Sequence, residues 1–198
     1  STVALARRAP WLDARSGKFL WKYERDLPDK ALAVVCCDVV NRGGVFYGDN
    51  VYFGTIDAHV IALNAKTGKM VWDTKVADYS DGITITGAPL VVKGNIIIGM
   101  TGGEFGARGR LIAVNAETGK IAWTTYTIPG PGEPGNDTWG GTDTWKRGGG
   151  TTWTTGAYDE KPVSRAACAQ GASSRMPSMR TSSSRRGMAT RSCPSRPL

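Results

Sequence analysis

The sequence predicts an all-β fold: a partial β-propeller of about three blades, followed by a disordered C-terminal tail. Three observations predict it. The stretches "DARSGKFLW" (13–21), "NAKTGKMVW" (64–72) and "NAETGKIAW" (115–123) repeat one pattern, with Gly17, Gly68 and Gly119, and Trp21, Trp72 and Trp123, each recurring at an interval of 51 residues. A period near 50 residues is a signature of propeller blades. The segments around these repeats are rich in β-branched and aromatic residues and show no long helical period. The tail "KPVSRAACAQGASSRMPSMRTSSSRRGMATRSCPSRPL" holds no Phe, Tyr or Trp and a single Leu, too little apolar surface to offset the entropy of ordering.

The elements follow in order. Residues 1–12 read as an irregular start that begins inside a fold, and the apolar stretch in "STVALARRAP" is too short for a signal peptide. Residues 13–159 read as blades. In each repeat an Asn or Asp, an Ala, two further residues and Gly-Lys make a tight turn, with the glycine free to adopt positive φ. "VYFGTIDAHVIALNAKTGKMVWDTKV" reads strand, turn, strand, turn, strand, and "LVVKGNIIIGMTGG" with "GRLIAVNAETGKIAWTTYTI" repeats the plan. The tryptophan after each turn is placed to stack between successive blades, a task suited to a large flat aromatic ring. "TGGEFGARG" lengthens the third repeat at a strand end, where a propeller would carry a site.

Charge narrows the function classes. The chain carries a net charge of +8, but residues 161–198 hold eight of its 25 Lys and Arg residues and none of its 17 acidic ones. Residues 1–160 are therefore neutral, and a basic tail without aromatics for base stacking argues against nucleic acid as a partner. The composition switches abruptly after "GAYDE", which favours reading 160–198 as the product of a frameshift over a natural basic tail. No apolar run is long enough for a membrane helix, so the chain is not expected to be an integral membrane protein.

Several residues could carry chemistry. Cys36 and Cys37 are adjacent within "VVCCDVVNRGG". They read either as small packed residues in a strand or as a disulfide between neighbours, strained because consecutive Cα atoms lie about 3.8 Å apart against a usual disulfide range of roughly 4.4–6.8 Å. Arg42 suits a carboxylate or quinone-type oxygen, or is a surface arginine. Glu104, between glycine pairs, could bind a hard cation or be a solvated loop residue. Thr86 reads as a strand threonine, and Trp153, after three glycines, as the floor of a flat-ligand site or a core residue. His59, the single histidine, has a structural or surface role. Neither a zinc-ligand cluster nor a Ser-His-Asp set can be assembled.

Taken in series, "CCDVVNRG", "TGAPLVVKG", "GGEFGARG", "YTIPGPGEPGNDTW" and "GGGTTWTTGAYD", among the repeated turns, resemble the pyrroloquinoline-quinone (PQQ)-dependent alcohol dehydrogenases over about residues 13–159. "PGPGEPGNDTW" is similar to the ethanol-type branch. The resemblance implies an eight-bladed propeller exported to the periplasm, with the quinone in the central funnel beside a calcium ion or a lanthanide. It implies a disulfide between Cys36 and Cys37 over one face of the quinone and Trp153 over the other. Arg42, Thr86, Thr101, Gly102, Gly103 and Thr151 would contact quinone oxygens, and Glu104 would ligate the metal. The cation would polarise a quinone carbonyl and a carboxylate base would take the proton of a small alcohol, with a cytochrome c-type protein as electron acceptor. A homodimer of the full-length protein is a further implication.

The resemblance places the catalytic aspartate and two further metal ligands beyond Asp159, in a stretch that here contains no Asp or Asn. The chain alone is therefore expected to be poorly stable, aggregation-prone and inactive, because an open propeller segment exposes strand edges and blade faces. The alternative is a non-catalytic propeller scaffold that binds other proteins. Such a scaffold needs the turns and tryptophans but not Cys36, Cys37, Arg42 and Glu104 in series.

Overall fold

The structure is a computed structural model that describes residues 8–35 and 39–160. The cysteine pair Cys36–Cys37 and the basic stretch 161–198 lie outside the described residues, as do residues 1–7.

The expected strands form, in three antiparallel sheets. β1 (Arg8–Leu12) and β2 (Phe19–Glu24) make a two-stranded half-blade. β3 (Val45–Tyr47), β4 (Asn50–Gly54), β5 (His59–Asn64) and β6 (Met70–Lys75) make one full blade in sequential order. β7 (Leu90–Val92), β8 (Asn95–Gly99), β9 (Arg110–Asn115) and β10 (Ile121–Tyr126) make the second. Among the described residues the one α-helix, α1 (Asp29–Leu32), spans four residues.

Two sequence readings need correction. The start is not irregular at residues 8–12, which pair antiparallel with β2 and stack Trp11 on Trp21 with ring centroids 4.9 Å apart. The strand is stabilised by its hairpin partner β2 rather than by its own Pro-containing sequence. The apolar run before the cysteines is not a strand at Ala33, which continues α1 with φ −72° and ψ −18°.

The blades pack face to face, which explains the near-continuous apolar strands. Alternating side chains of β4 and β5 serve opposite faces. Val51, Phe53, Ile61 and Leu63 pack with Trp21 and Tyr23 of the half-blade. Tyr52, Val60 and Ala62 pack with Ile96, Ile98, Ile112 and Val114 of the second blade.

The repeated turn is one structure built three times. Asn64 Oδ1 accepts from the backbone of Lys66 and Thr67 and from the Thr67 hydroxyl at 3.0–3.2 Å. Asn115 does the same with Glu117 and Thr118, and Asp13 with Arg15 and Ser16. The local Asx geometry leaves the glycine at φ 68–69° in all three.

The tryptophans interlock the blades across this turn. Trp21 Nε1 donates to the Ala65 carbonyl at 2.9 Å, and Trp72 Nε1 to the Ala116 carbonyl at 3.0 Å. Each ring lies on the next turn's glycine: a Cβ at Gly68 would sit 2.6 Å from Trp21, and one at Gly119 2.8 Å from Trp72. A register shift falls just before the tryptophan in each sheet, between Phe19 and Trp21, Met70 and Trp72, and Ile121 and Trp123. A bulge of this kind re-aims a side chain, here toward the neighbouring blade.

A charged cluster clamps the half-blade to the first full blade. Arg25 pairs with Asp57 at 2.8 Å and Asp73 at 2.7 Å, and His59 Nδ1 lies 2.6 Å from Asp73. This gives His59 a structural role. Burial pushes the Asp73 carboxyl up, but hydrogen bonds from Arg25 and His59 outweigh it and hold Asp73 below its usual value. A depressed folded-state pKa adds stability above the unfolded value of about 3.9, lost as pH falls through the folded value. Chemical denaturation between neutral and strongly acidic pH is expected to show stability falling below about pH 4, with a shallower fall in Asp73→Asn.

Candidate cofactor site

At the end of the blades that bears the β4–β5 and β8–β9 connections, separate segments meet around one cavity. The segment before β3 is fixed by buried Asn41, whose amide donates to the Gly54 carbonyl at 2.7 Å and whose Oδ1 accepts from Gly43 N–H at 2.8 Å. Arg42 is thereby held beside the segment leading into β7. Its backbone N–H donates to the Thr86 carbonyl at 2.9 Å, and its guanidinium donates to the Thr86 hydroxyl at 2.8 Å.

The stretch 83–86 is buried, with Ile83 and Ile85 entering the inter-blade core and the alternating threonines, Thr84 and Thr86, aimed elsewhere. The Thr101 backbone N–H donates to the Thr84 carbonyl at 2.9 Å, and the two hydroxyls pair. A short 3-10 turn, Gly103–Phe105, then carries Glu104, which is exposed and makes no ion pair among the described residues.

The segment 149–155 returns across β8 and β9. Buried Thr152 donates its N–H to the Met100 carbonyl at 3.1 Å and its hydroxyl to the Arg110 carbonyl at 2.8 Å. Its neighbours Thr151 and Trp153, one residue to either side, face the cavity. This crossing needs a missing side chain, since a Cβ at Gly99 would lie 1.9 Å from the Thr152 carbonyl oxygen; separately, a Cβ at Gly102 (φ 102°) would lie 1.9 Å from the Gly82 carbonyl oxygen.

The cavity, about 150 Å³, is lined by Val40, Arg42, Thr86, Thr101, Glu104, Thr151 and Trp153. Six of the residues singled out in the sequence thus stand together. Gly102 and Gly103 are not among the lining residues; their lack of side chains permits the close approach of the Gly82 and Thr151 segments. Sequence reasoning missed Val40, and it missed Asn41 and Thr84, which hold Arg42 and Thr101. The Asn-Arg-Gly-Gly run was a usable signal for Asn41, since an asparagine before glycines often bonds its own backbone.

The donor set fits a flat, multiply anionic quinone. A guanidinium and three hydroxyls can serve carboxylate and carbonyl oxygens, one carboxylate can serve a hard cation, and the Trp153 ring, 40% exposed, offers a flat face. The Arg42 guanidinium lies 4.7 Å from the Trp153 ring centroid. A planar ligand taking that ring face would have to displace it. Among the described residues no three His, Cys, Asp or Glu side chains converge as a metal site, so Glu104 would be one ligand of a larger set. No helix of the described residues is long and apolar enough to cross a membrane.

Comparisons with known proteins bear on this arrangement. A family model described as "Outer membrane protein assembly factor BamB" matches residues 4–135. The chain is 48% identical over 158 residues to "Quinohemoprotein alcohol dehydrogenase ADH IIB" of Pseudomonas putida, covering 75% of this chain and 23% of that protein. It is 45% identical over 165 residues to "Quinoprotein alcohol dehydrogenase PedH" of Pseudomonas putida, covering 75% and 27%. Its fold is similar to that of a "Europium-containing methanol dehydrogenase", with TM-score 0.71 and 39% identity over 77% of this chain and 30% of that one. The chain spans about a quarter of the length of the curated relatives it matches.

Proposed function

Because this chain belongs to the family of PQQ-dependent quinoprotein alcohol dehydrogenases, we propose that it is the stretch of such an enzyme that builds one side of the quinone pocket. The enzyme oxidises a primary alcohol to an aldehyde in the periplasm and passes the electrons to a cytochrome c-type acceptor. The observation that carries this reading is the convergence of Arg42, Thr86, Thr101, Glu104, Thr151 and Trp153, from distant segments, on one cavity.

Each residue has a chemical task. Arg42 and the hydroxyls of Thr86, Thr101 and Thr151 donate to carboxylate and carbonyl oxygens of the cofactor and fix its orientation. Trp153 supports its flat face and keeps water from that side. Cys36 and Cys37, as a disulfide, cover the opposite face. Glu104 supplies an oxygen ligand to calcium or a lanthanide. When bound, the quinone supplies a two-electron acceptor and the cation a Lewis acid. Glu104 is the one carboxylate among the described lining residues, and as a metal ligand it is not free to act as the base.

The 198-residue chain is therefore expected to bind PQQ without turning over alcohol. Titration with PQQ, followed by tryptophan quenching, should give saturable binding that calcium or lanthanum strengthens. Glu104→Gln should abolish that strengthening and leave cation-free binding in place. An absence of saturable quenching would refute the pocket assignment.

A second reading, a non-catalytic scaffold that binds other proteins, draws on the description of the matching family model. It gives the interlocked turns a role but leaves Arg42, Glu104 and Trp153 around a common cavity without one.

A further inference from the structure

The long connection between β10 and the segment that carries Thr151 and Trp153 has little core of its own. Its two 3-10 turns, Asn136–Trp139 and Asp143–Lys146, contain no buried residue, and Gly132, Gly135, Gly140 and Gly141 all take positive φ. Holding such a stretch in one conformation is costly in entropy. A side chain from outside the connection fills it instead. This is Arg108, whose side chain is 14% exposed.

Arg108 grips the connection at its start and near its end. Its Nε donates to the Ile128 carbonyl at 2.8 Å. Its Nη2 pairs with Glu133 Oε2 at 2.7 Å, and the same carboxylate oxygen accepts the Gly130 N–H at 2.5 Å. The guanidinium carbon lies 3.8 Å from the Tyr126 ring centroid and 4.9 Å from that of Trp145. A planar fork can donate in two directions and stack on rings at once, which an ammonium cannot.

The backbone beside Arg108 holds the returning chain. Gly109 N–H donates to the Gly149 carbonyl at 3.1 Å, and the Arg110 carbonyl accepts the Thr152 hydroxyl at 2.8 Å. A Cβ at Gly109 would lie 2.2 Å from the Gly150 carbonyl oxygen. One at Gly148 would lie 2.3 Å from the carbonyl oxygen of Gly103, the residue before Glu104. Residues 108–110 therefore join the connection to the strap that presents Thr151 and Trp153 to the cavity.

We propose that Arg108 is a positioning residue for the cofactor pocket, a role that rests on the quinone reading proposed above. Arg108 is not among the lining residues. It acts through the connection: by fixing Ile128, Glu133 and Trp145 it sets where the chain enters Gly148–Gly150. That in turn sets Thr151 and Trp153 against Arg42 and Glu104.

The test combines a double-mutant cycle in PQQ binding, read by isothermal titration, with amide hydrogen exchange on the cofactor-free 198-residue chain. Arg108→Ala is expected to weaken binding roughly 10-fold, and Arg108→Lys to recover little of it. Glu133→Gln is the milder variant, at a half-exposed carboxylate, and should weaken binding roughly threefold. In a Trp153→Ala background, Arg108→Ala should cost less than about twofold, because the larger side chain it positions is gone. Losses that multiply in full would overturn the proposal. The Thr152 amide, bonded to the Met100 carbonyl, should exchange faster in Arg108→Ala and Glu133→Gln, while amides paired between β4 and β5 keep their protection. If Arg108→Ala loses protection throughout the blades, Glu133→Gln decides. Unchanged exchange at Thr152 would overturn the proposal, as would variants that bind PQQ like a binding-competent wild type. A chain that exchanges as expected but binds no PQQ would support Arg108 as the anchor of the strap and refute the quinone reading alone.

Discussion

Trp72→Ala is expected to cost about 3 kcal/mol of stability, at the lower end for a large aromatic because the side chain is only partly buried. The ring covers Gly119 and contacts Tyr52, and its Nε1–H satisfies the Ala116 carbonyl. The loss is therefore a cavity plus a weakened polar group between two blades. Gly119→Ala attacks the same contact from the other side: φ is 69°, and the new Cβ would sit 2.8 Å from the Trp72 ring. It is expected to cost about 1–3 kcal/mol in strain. Urea unfolding at low protein concentration checks both, with Trp123→Ala as control. The exposed Trp123 should cost less than about 1 kcal/mol. Equal losses at Trp72 and Trp123 would show that docking on the next turn does not stabilise the blades.

Arg42→Ala is expected to weaken PQQ binding by about 2 kcal/mol, roughly 30-fold in Kd, because it removes charge-assisted hydrogen bonds to an anionic ligand. Arg42→Lys should recover little of this, since an ammonium lacks the planar fork that can donate to two ligand oxygens at once. Trp153→Ala should have an effect of similar size by removing the flat support. Isothermal titration of the three variants checks the set. A lysine variant that binds like the wild type would reduce Arg42 to a source of charge.

The legible part of the site was its residue list. Arg42, Glu104 and Trp153 stood out because each lies beside glycines or within a motif that resembles a known family. Their convergence was not legible. It depends on Asn41 bonding Gly54, on Thr152 bonding Met100 and Arg110, and on Gly99 and Gly102 letting backbones pass in contact. These are partnerships between segments far apart in the chain. The Arg25–Asp57–Asp73–His59 cluster escaped notice for the same reason, since four charged or titratable residues at unrelated spacings carry no local pattern.

The sequence by itself determined the blade turns, the strand order within each blade and the candidates for tryptophan docking. A turn closed by its own Asn or Asp and a glycine at positive φ is a local object, and a period of 51 residues repeats it. Only the tertiary structure decided that Arg8–Leu12 is a strand, that a bulge precedes each tryptophan, and that Trp21 and Trp72 are docked while Trp123 is not. The physical reason is that the three tryptophans occupy equivalent local positions. What differs is whether a neighbouring blade presents a glycine to cover and a carbonyl to bond.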